Sequence, residues 1–474
     1  MLKIWRRQPL VRRLTIWGFV GAGLLYVALC LVHVYGVHVY KSGDEERHVA
    51  YSLILNNKGR LPTIQETRAA NHPPLYYCLA KHVLDDGKNT KAVKGSVRYA
   101  RLMCVFFGGL GLLYVFLIVR ALAPKQPSVA LFATATIAVL PSYNDTATVA
   151  ANDALGVVCQ LGVLYSGLSL LVHGPRWWRY VHIALFFALG GLVRVSALLI
   201  MPAALVAVLG AVWFHSEGSR GRRIGKGVGI CAALGILCLL TSGWFYWENY
   251  LRCGEPTCVR KLVQVWHRKP RGSTLVVLFD FENWLRVWDG LWGRLSGRVR
   301  PGGELLLLDR LLGTVAAVGA IVRLVRVYPS LRLQGWWSPQ RLSWLVAAIG
   351  AAGVLFPGVM AYGAGFSLHA RYVFGALWLV GMVMAVGFSW LRAKLYPLIG
   401  YCLVLGLSLG VTFQYAMHFA KRGTAYALSS AFTRGGIDNP DIWAMCTYVA
   451  LGVGAALVLW ALAELHRWST EQSG

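Results

Sequence analysis

The chain reads LTIWGFVGAGLLYVALCLVHVY over residues 14–35 and then SGDEERH over residues 42–48. The first stretch is predominantly apolar and long enough to cross a hydrocarbon core of about 30 Å as a helix. It follows a basic segment, but it is too long for the apolar part of a signal peptide and ends without a small-residue cleavage site. We interpret it as an uncleaved first transmembrane helix that leads into an acidic loop at the membrane surface.

Comparable apolar runs recur along all 474 residues, of which 57% are hydrophobic and only 14% charged. This composition is too apolar for an ordinary soluble domain. The pattern predicts about twelve transmembrane helices, at residues 14–35, 100–121, 127–142, 150–172, 180–194, 195–214, 226–247, 310–328, 343–364, 370–390, 396–417 and 441–462. The expected fold class is an all-α integral membrane protein, with residues 1–474 in a single polytopic domain and no soluble C-terminal domain.

Basic residues concentrate in the short loops of one predicted side, as the positive-inside rule expects of the cytoplasmic face. Of the 20 Asp and Glu residues, only Glu217, Glu464 and Glu471 fall on that side. We therefore expect cytoplasmic N- and C-termini and a functional site on the outer face, periplasmic or lumenal, of a plasma or inner membrane if the source is bacterial. The net charge of +27 fits this topology and contact with anionic lipids, so no nucleic-acid partner is expected.

Two long outer loops are predicted, at residues 37–98 and 247–309. The first is expected to contain two short interfacial helices, at residues 45–57 and 73–84, because proline favours the first turn of a helix. The second is rich in Arg and Trp and is interpreted as lying on the membrane surface. Cys253 and Cys258 bracket four residues within it. The sequence leaves open whether they form a disulfide or remain two free thiols.

The acidic loop holds the first candidate site. Asp44, Glu45 and His48 follow closely on the first span, where one carboxylate can accept a proton from a hydroxyl while a neighbour holds a cation or a sugar hydroxyl. A solvated acidic helix start explains the same residues without a function. His72 and Tyr76 lie in HPPLYY, residues 72–77, whose two prolines fix the backbone and aim the loop. An interfacial anchor is the alternative.

Further polar residues lie near the outer ends of later spans. Four of them crowd the third and fourth spans: Asn144, Asp145, Asn152 and Asp153. A carboxylate at this depth is a functional candidate, with a hydrogen-bonded helix cap as the alternative. Arg194 and Arg371 occur at the same predicted level, and two converging guanidinium groups suggest a phosphate or pyrophosphate site. Arginines that extend toward the membrane surface are the alternative.

Several segments also carry a family resemblance. They occur in this order: Asp44-Glu45-Glu46-Arg47-His48, Gly59-Arg60-Leu61-Pro62, His72-Pro73-Pro74-Leu75-Tyr76-Tyr77, Arg101-Leu102, Asn152-Asp153, Trp244-Phe245-Tyr246-Trp247-Glu248-Asn249-Tyr250 with Gly254-Glu255-Pro256, and His369-Ala370-Arg371-Tyr372. In order and predicted face, the series resembles the polyprenyl-phosphate-sugar-dependent glycosyltransferases of the GT-C fold. The branch that it resembles in particular contains protein O-mannosyltransferases and lipid A aminoarabinose transferases.

The resemblance implies a GT-C-like helix bundle and an inverting transfer in which a lipid phosphate is displaced. It implies Asp44 as the general base, and Arg371 with Arg194 as ligands of the departing phosphate. It also implies the residues expected to bind substrate or donor: Glu45, His48, His72, Tyr76, Asp153, Arg194, Asn249, Arg371 and Tyr372. Some relatives bind a divalent metal ion near the first-loop acids, for which Glu45 and His48 are the candidates here.

The expected function is transfer of a sugar from an undecaprenyl- or dolichyl-phosphate carrier to a lipid, glycan or protein hydroxyl on the outer face. Membrane lipids are the other expected partners. A multi-spanning lipid or sugar transporter or flippase is one alternative. A transporter predicts ionisable residues near the bilayer midplane, whereas most acidic residues here fall on one predicted face. An inactive scaffold subunit with the same fold is another. The sequence leaves open the sugar, the acceptor, the metal dependence and the oligomeric state.

Overall fold

The computed structural model of the protein describes residues 2–40, 44–86, 89–269, 272–292, 303–333, 338–363, 370–389, 396–420, 429, 432–433 and 437–473. These residues form helices joined by turns and loops, and no strand occurs among them. His369, part of the late arginine motif, lies outside the described residues.

The helices of the described chain are α1 (Leu2–Gly36), α2 (Glu45–Lys58), α3 (Leu75–Ala80), α4 (Thr90–Leu122), α5 (Pro127–Val139), α6 (Pro141–Ala147), α7 (Asp153–His173), α8 (Trp177–Val193), α9 (Val195–Leu198), α10 (Met201–His215), α11 (Arg220–Cys253), α12 (Val259–Val265), α13 (Thr274–Phe279), α14 (Phe281–Trp292), α15 (Gly303–Leu333), α16 (Pro339–Gly363), α17 (Leu377–Phe388), α18 (Tyr396–Ala420) and α19 (Pro440–Ser473). Two 3-10 helices, Arg68–Asn71 and Ala370–Ala376, complete the set.

The described residues include nine helical segments that are long and apolar enough to cross a membrane. Three shorter apolar helices, Pro127–Val139, Trp177–Val193 and Leu398–Thr412, match the predicted spans 127–142, 180–194 and 396–417. The prediction of an all-α, multi-pass membrane protein is confirmed. The span predicted at 127–142 is shorter than expected, because Leu140 precedes Pro141 and takes an extended conformation (φ −64°, ψ 116°) that ends α5.

Helix α7 lies at the centre of the bundle, and 89% of its apolar 18-residue stretch is buried. It packs against α4, α8, α10 and α16. Helix α1 packs along α19, where a Cβ on Gly21 would lie 2.8 Å from the carbonyl oxygen of Gly454. Small residues at such a crossing let two membrane helices approach closely. Helix α11 lies at the edge of the bundle. Only 22% of its apolar 18-residue stretch is buried, as expected of a helix that faces lipid.

The first outer loop contains α2, as predicted. Gly59 ends that helix in the left-handed region (φ 61°), which glycine adopts at low cost. The second interfacial helix is shorter than the predicted 73–84, since only Leu75–Ala80 is α-helical and the chain then turns. In the second loop, Cys253 and Cys258 are joined by a disulfide. Cys258 is buried with Leu262 against Ile64 and Ala70, so the two long loops touch.

Candidate active site

Two carboxylates meet several guanidinium groups where the helices end. Nη2 of Arg371 donates to Oδ2 of Asp44 at 2.8 Å, and Nη1 of Arg371 lies 3.4 Å from Oδ2 of Asp153. Arg194 pairs with the other oxygen of Asp153, Oδ1. Arg47 pairs with the other oxygen of Asp44, also Oδ1. We call these five residues the charged cluster.

The members of the charged cluster are held at helix ends. Asp44 immediately precedes α2, and Asp153 is the first residue of α7. Arg194 occupies the extended link between α8 and α9 (φ −161°, ψ 135°). Arg371 is the second residue of the 3-10 helix that leads into α17. The bundle therefore brings together side chains that are as many as 327 positions apart in the sequence.

Close packing fixes the segment that carries Arg371. The 3-10 helix lies against α14 and α16. A Cβ on Gly358 would stand 2.8 Å from Cβ of Tyr372, which is shorter than ordinary van der Waals contact. A Cβ on Gly290 would stand 3.4 Å from Cβ of Ala370. Because both neighbours are glycines, α14 and α16 approach the backbone on either side of Arg371 closely, and the segment that carries the side chain is held in place.

Glu45, next to Asp44, lies in a separate buried ion pair. Its oxygens accept hydrogen bonds of 2.7 Å from Nε and Nη2 of Arg101. Nη1 of Arg101 donates to the carbonyl oxygens of Val34 and Val37 at the end of α1, and the Ala150 N–H donates to Oε1 of Glu45 at 3.2 Å. This network ties the end of α1 to the start of α2. Its geometry gives Glu45 a structural role in holding Asp44.

Asp44 is partly accessible, with 31% of its side chain exposed. Burial opposes its ionisation, but the charge and hydrogen bond of Arg371, with smaller contributions from His48 and Arg47, hold the pKa of Asp44 well below its usual range. The side chain is therefore a carboxylate at neutral pH. It is also a weak base for as long as Arg371 remains paired with it.

A stack of neutral rings lines the α2 side of the site. Nδ1 of His48 lies 2.7 Å from the Tyr77 hydroxyl, and the rings of His48 and His72 stack with centroids 5.7 Å apart. Tyr51 stacks on Tyr77 at 3.6 Å. Burial lowers the pKa of His48 to about 4 and that of His72 to about 3. Both imidazoles are therefore neutral at pH 7 and can donate or accept a hydrogen bond.

The other residues expected in the site are spread more widely. The ring of Tyr372 is 5.8 Å from the guanidinium carbons of both Arg194 and Arg371, which places it beside the charged cluster. Tyr76 is buried behind the site, with its hydroxyl 3.5 Å from Sγ of Cys104. Asn249 donates to the carbonyl oxygen of Pro256 and closes the turn that contains the disulfide. The hydrogen bonds of Tyr76 and Asn249 thus go to groups other than Asp44 and Asp153.

Two members of the site were not singled out from the sequence. Arg47 lies three residues after Asp44 on the same helix start, a spacing that brings side chains together. That spacing was the available signal. Tyr77 was included in the HPPLYY segment, but only the contact with His48 identifies it as the partner of an imidazole. The buried position of His48 has no signal of its own in the sequence.

A divalent metal ion does not fit the donor set as the side chains stand. Both oxygens of Glu45 accept from Arg101, and Nδ1 of His48 contacts the Tyr77 hydroxyl. In the part of the chain that the structure describes, no group of three His, Cys, Asp or Glu residues is placed to hold a metal ion. The metal stays an expectation of the family resemblance.

Comparisons with known proteins add a sequence match and two similar structures. ArnT from Cupriavidus metallidurans, in a crystal structure bound to undecaprenyl phosphate, is 16% identical, with 93% of this chain and 76% of that chain covered and a TM-score of 0.47. The oligosaccharyltransferase of Archaeoglobus fulgidus is 12% identical, with 94% and 56% covered and a TM-score of 0.44. No curated protein matches the chain. The resemblance to lipid-phosphate-sugar glycosyltransferases is confirmed over residues 72–247, which match the family model described as dolichyl-phosphate-mannose-protein mannosyltransferase.

Proposed function

We propose that the protein is an inverting glycosyltransferase that moves a sugar from a polyprenyl-phosphate carrier to a hydroxyl group on the outer side of the membrane. The observation that carries this proposal is the contact of Arg371 with both Asp44 and Asp153, 2.8 and 3.4 Å away. It combines a candidate base with a candidate phosphate ligand. The family match over residues 72–247 supports the same chemistry.

In the proposed reaction, the acceptor hydroxyl transfers its proton to a carboxylate oxygen of Asp44 as its oxygen attacks the anomeric carbon of the sugar. The bond between that carbon and the phosphate oxygen breaks, and its electron pair leaves with the lipid phosphate. Attack from the face opposite the phosphate inverts the anomeric carbon. The negative charge that develops on the phosphate needs a fixed cation nearby.

Arg371 and Arg194 are the proposed ligands of that phosphate. Guanidinium groups match phosphate oxygens in a forked geometry. Asp153 pairs with both arginines and is proposed as the positioning residue that keeps them side by side. The neutral imidazoles of His48 and His72 are proposed to form hydrogen bonds with sugar hydroxyls, since burial favours their uncharged forms.

Phosphate binding also changes the proposed base. Arg371 now pairs with Asp44, so a donor phosphate competes with Asp44 for the same guanidinium. When the phosphate takes it, the carboxylate loses part of the charge that suppresses its basicity. The donor is therefore proposed to bind before the acceptor is deprotonated, which limits proton abstraction to the loaded enzyme.

The test is sugar transfer in membranes that express the protein, supplied with a radiolabelled polyprenyl-phosphate-sugar pool. Asp44→Asn keeps the side-chain shape but removes the base, and we expect transfer to fall by roughly 10²- to 10⁴-fold. Glu46→Gln is the matched control, because Glu46 is exposed two residues away. Equal transfer by Asp44→Asn and wild type would remove Asp44 from the mechanism. If the wild-type protein transfers no sugar from any donor, the transporter and scaffold interpretations become the favoured ones.

A further inference from the structure

The two outer loops meet at a pair of aromatic and cationic side chains. The guanidinium carbon of Arg68 lies 3.8 Å from the ring centroid of Trp266, a distance typical of a cation–π contact. Nε1 of Trp266 donates to the carbonyl oxygen of Ile64 at 3.3 Å. Because α12 brings Trp266 to the first loop, the second loop holds Arg68 in a defined position.

A hydrogen bond connects this position to the charged cluster. Oγ1 of Thr67 donates to the carbonyl oxygen of Arg47 at 2.9 Å, and Thr67 also caps the 3-10 helix that begins at Arg68. The segment that carries Arg68 is therefore fixed to the residue that pairs with Asp44. A shift of either loop moves Arg68 relative to the carboxylate.

The electrostatics indicate that several arginines lie close together on this side. Burial, followed by repulsion from Arg47 and Arg268, lowers the pKa of Arg68, while Asp44 has the opposite effect. Nε of Arg68 is buried and has no hydrogen-bond partner among the described residues. Crowded guanidinium groups repel one another, and an anion bound between them relieves that repulsion.

Asp44 is thus approached by arginines from two directions. Oδ2 faces Arg371 from the membrane helices, whereas Oδ1 faces Arg47 from the loop. The proposed donor phosphate needs only Arg371 and Arg194. A second anion beside Arg47 and Arg68 would lie next to the carboxylate without displacing the donor.

We propose that Arg47 and Arg68 form an anion site that binds a phosphate or carboxylate group of the acceptor and so brings a neighbouring hydroxyl to Asp44. The inference rests on the proposed function and adds to it the chemical class of the acceptor. The acceptor is then an acidic molecule whose phosphate or carboxylate lies close to the hydroxyl that receives the sugar. Arg68 is a binding residue in this assignment, and Trp266 positions it.

The charge of the labelled product tests the proposal whichever molecule accepts the sugar. After transfer in membranes, mild acid cleaves the unused donor at its sugar–phosphate bond, and anion-exchange chromatography then separates the labelled product by charge. We expect retention on the column. Partition between chloroform–methanol and water distinguishes an acidic lipid from an acidic glycan. A labelled product, distinct from the free sugar released from the donor, that passes through as a neutral species would overturn the inference and leave the glycosyltransferase proposal intact. Absence of any labelled product would overturn both.

Variants then connect the anion to the arginines. We expect Arg68→Gln to lower formation of the anionic product by roughly tenfold, the effect of one lost charge-assisted contact, and Arg68→Lys to restore part of it. Added salt should weaken wild-type transfer more steeply than transfer by Arg68→Gln, a difference that a purely structural role would not produce. Arg60→Gln is the control, because that exposed arginine is already paired with Glu66 in the same loop. The inference fails if Arg68→Gln and Arg60→Gln behave alike.

Discussion

Nη2 of Arg371 lies 2.8 Å from Oδ2 of Asp44, so one guanidinium serves both as the expected phosphate ligand and as the group that suppresses the candidate base. The two roles compete, because an arginine that forks onto a phosphate has fewer donors left for the carboxylate. Occupation of the proposed phosphate site should therefore change the basicity of Asp44 through a single side chain.

This coupling predicts two different pH profiles. The profile of kcat/KM reports groups in the free enzyme, whereas the profile of kcat reports groups in the substrate complex. Arg371 keeps the pKa of Asp44 below its usual range in the free protein, and the bound phosphate should raise it. We expect the acid limb of kcat to lie at higher pH than the acid limb of kcat/KM. In initial rates of sugar transfer from about pH 4 to pH 8, we expect the acid limb of kcat to enter this range while that of kcat/KM stays below it, and coincident limbs would contradict the exchange of partners.

Arg371→Gln should weaken donor binding and leave the fold intact. The substitution removes the charge that faces the phosphate and leaves Asp153 paired with Arg194. We expect the inhibition constant of undecaprenyl phosphate or dolichyl phosphate, whichever competes with the donor, to rise by roughly 10- to 100-fold. Arg252→Gln is the control, since Arg252 forms an exposed pair with Glu248. Unchanged inhibition in Arg371→Gln would place the lipid phosphate elsewhere.

The buried pair of Glu45 and Arg101 should matter for stability. Removal of one partner leaves an uncompensated charge, at a cost of about 3–5 kcal/mol. We expect Glu45→Gln and Arg101→Met each to lower the Tm of the purified protein in detergent, and the double variant to lower it by less than the sum of the two. Additive losses would mean that the two side chains act independently. Sugar transfer should also fall in those variants that stay folded, because the network holds the start of α2 and thus Asp44.

The sequence predicts the spans well and the contacts between them poorly. Long apolar runs report burial in lipid directly, so the predicted spans correspond to the apolar helices. Breaks inside such runs are harder to place, as at Leu140, where a single residue before a proline decides the end of α5. Asp44, Asp153 and Arg371 are all predicted as site candidates, but the contact that joins them is not, because Arg371 lies 327 positions after Asp44. No local pattern encodes a contact of that range.

Glu45 illustrates the other limit of prediction. Its position beside Asp44 favours a role at the surface, and the same acidic cluster suggested metal binding. In the structure Glu45 turns inward to Arg101, 56 residues away, and is fully buried. Adjacent residues at a helix start point in different directions, so neighbours in sequence can face the site and the core respectively. Only the packing of α1, α2 and α4 shows which of the two faces the site.

The buried His48 and the partly buried His72 should make the protein less stable in acid. Burial lowers the pKa of His48 from 6.5 to about 4 and that of His72 from 6.5 to about 3. Below about pH 6.5 the unfolded chain therefore binds protons more readily than the folded protein does. Above about pH 6.5 the histidines do not lower the free energy of unfolding. It decreases as the pH falls toward 4, by up to ~3 kcal/mol for His48 alone. The Tm measured between these pH values should fall in wild type and change less in His48→Gln. His82→Gln, at an exposed position, should retain the wild-type slope.

The disulfide between Cys253 and Cys258 should control how firmly the outer loops are joined. Cys258 is buried with Leu262 against Ile64, and closure of so short a loop contributes about 2 kcal/mol. Its removal should therefore loosen α12 and, through Trp266, the segment that carries Arg68. We expect the Cys253→Ser and Cys258→Ser double variant to show faster hydrogen exchange at residues 64–71 and 259–265, with α2 unchanged, because Glu45 anchors α2 independently of the second loop. Dithiothreitol should reproduce this effect in wild type and add nothing in the double variant. If exchange at residues 64–71 stays at the wild-type rate after reduction, the first loop is held by its own contacts and the disulfide stabilises only the turn after α11.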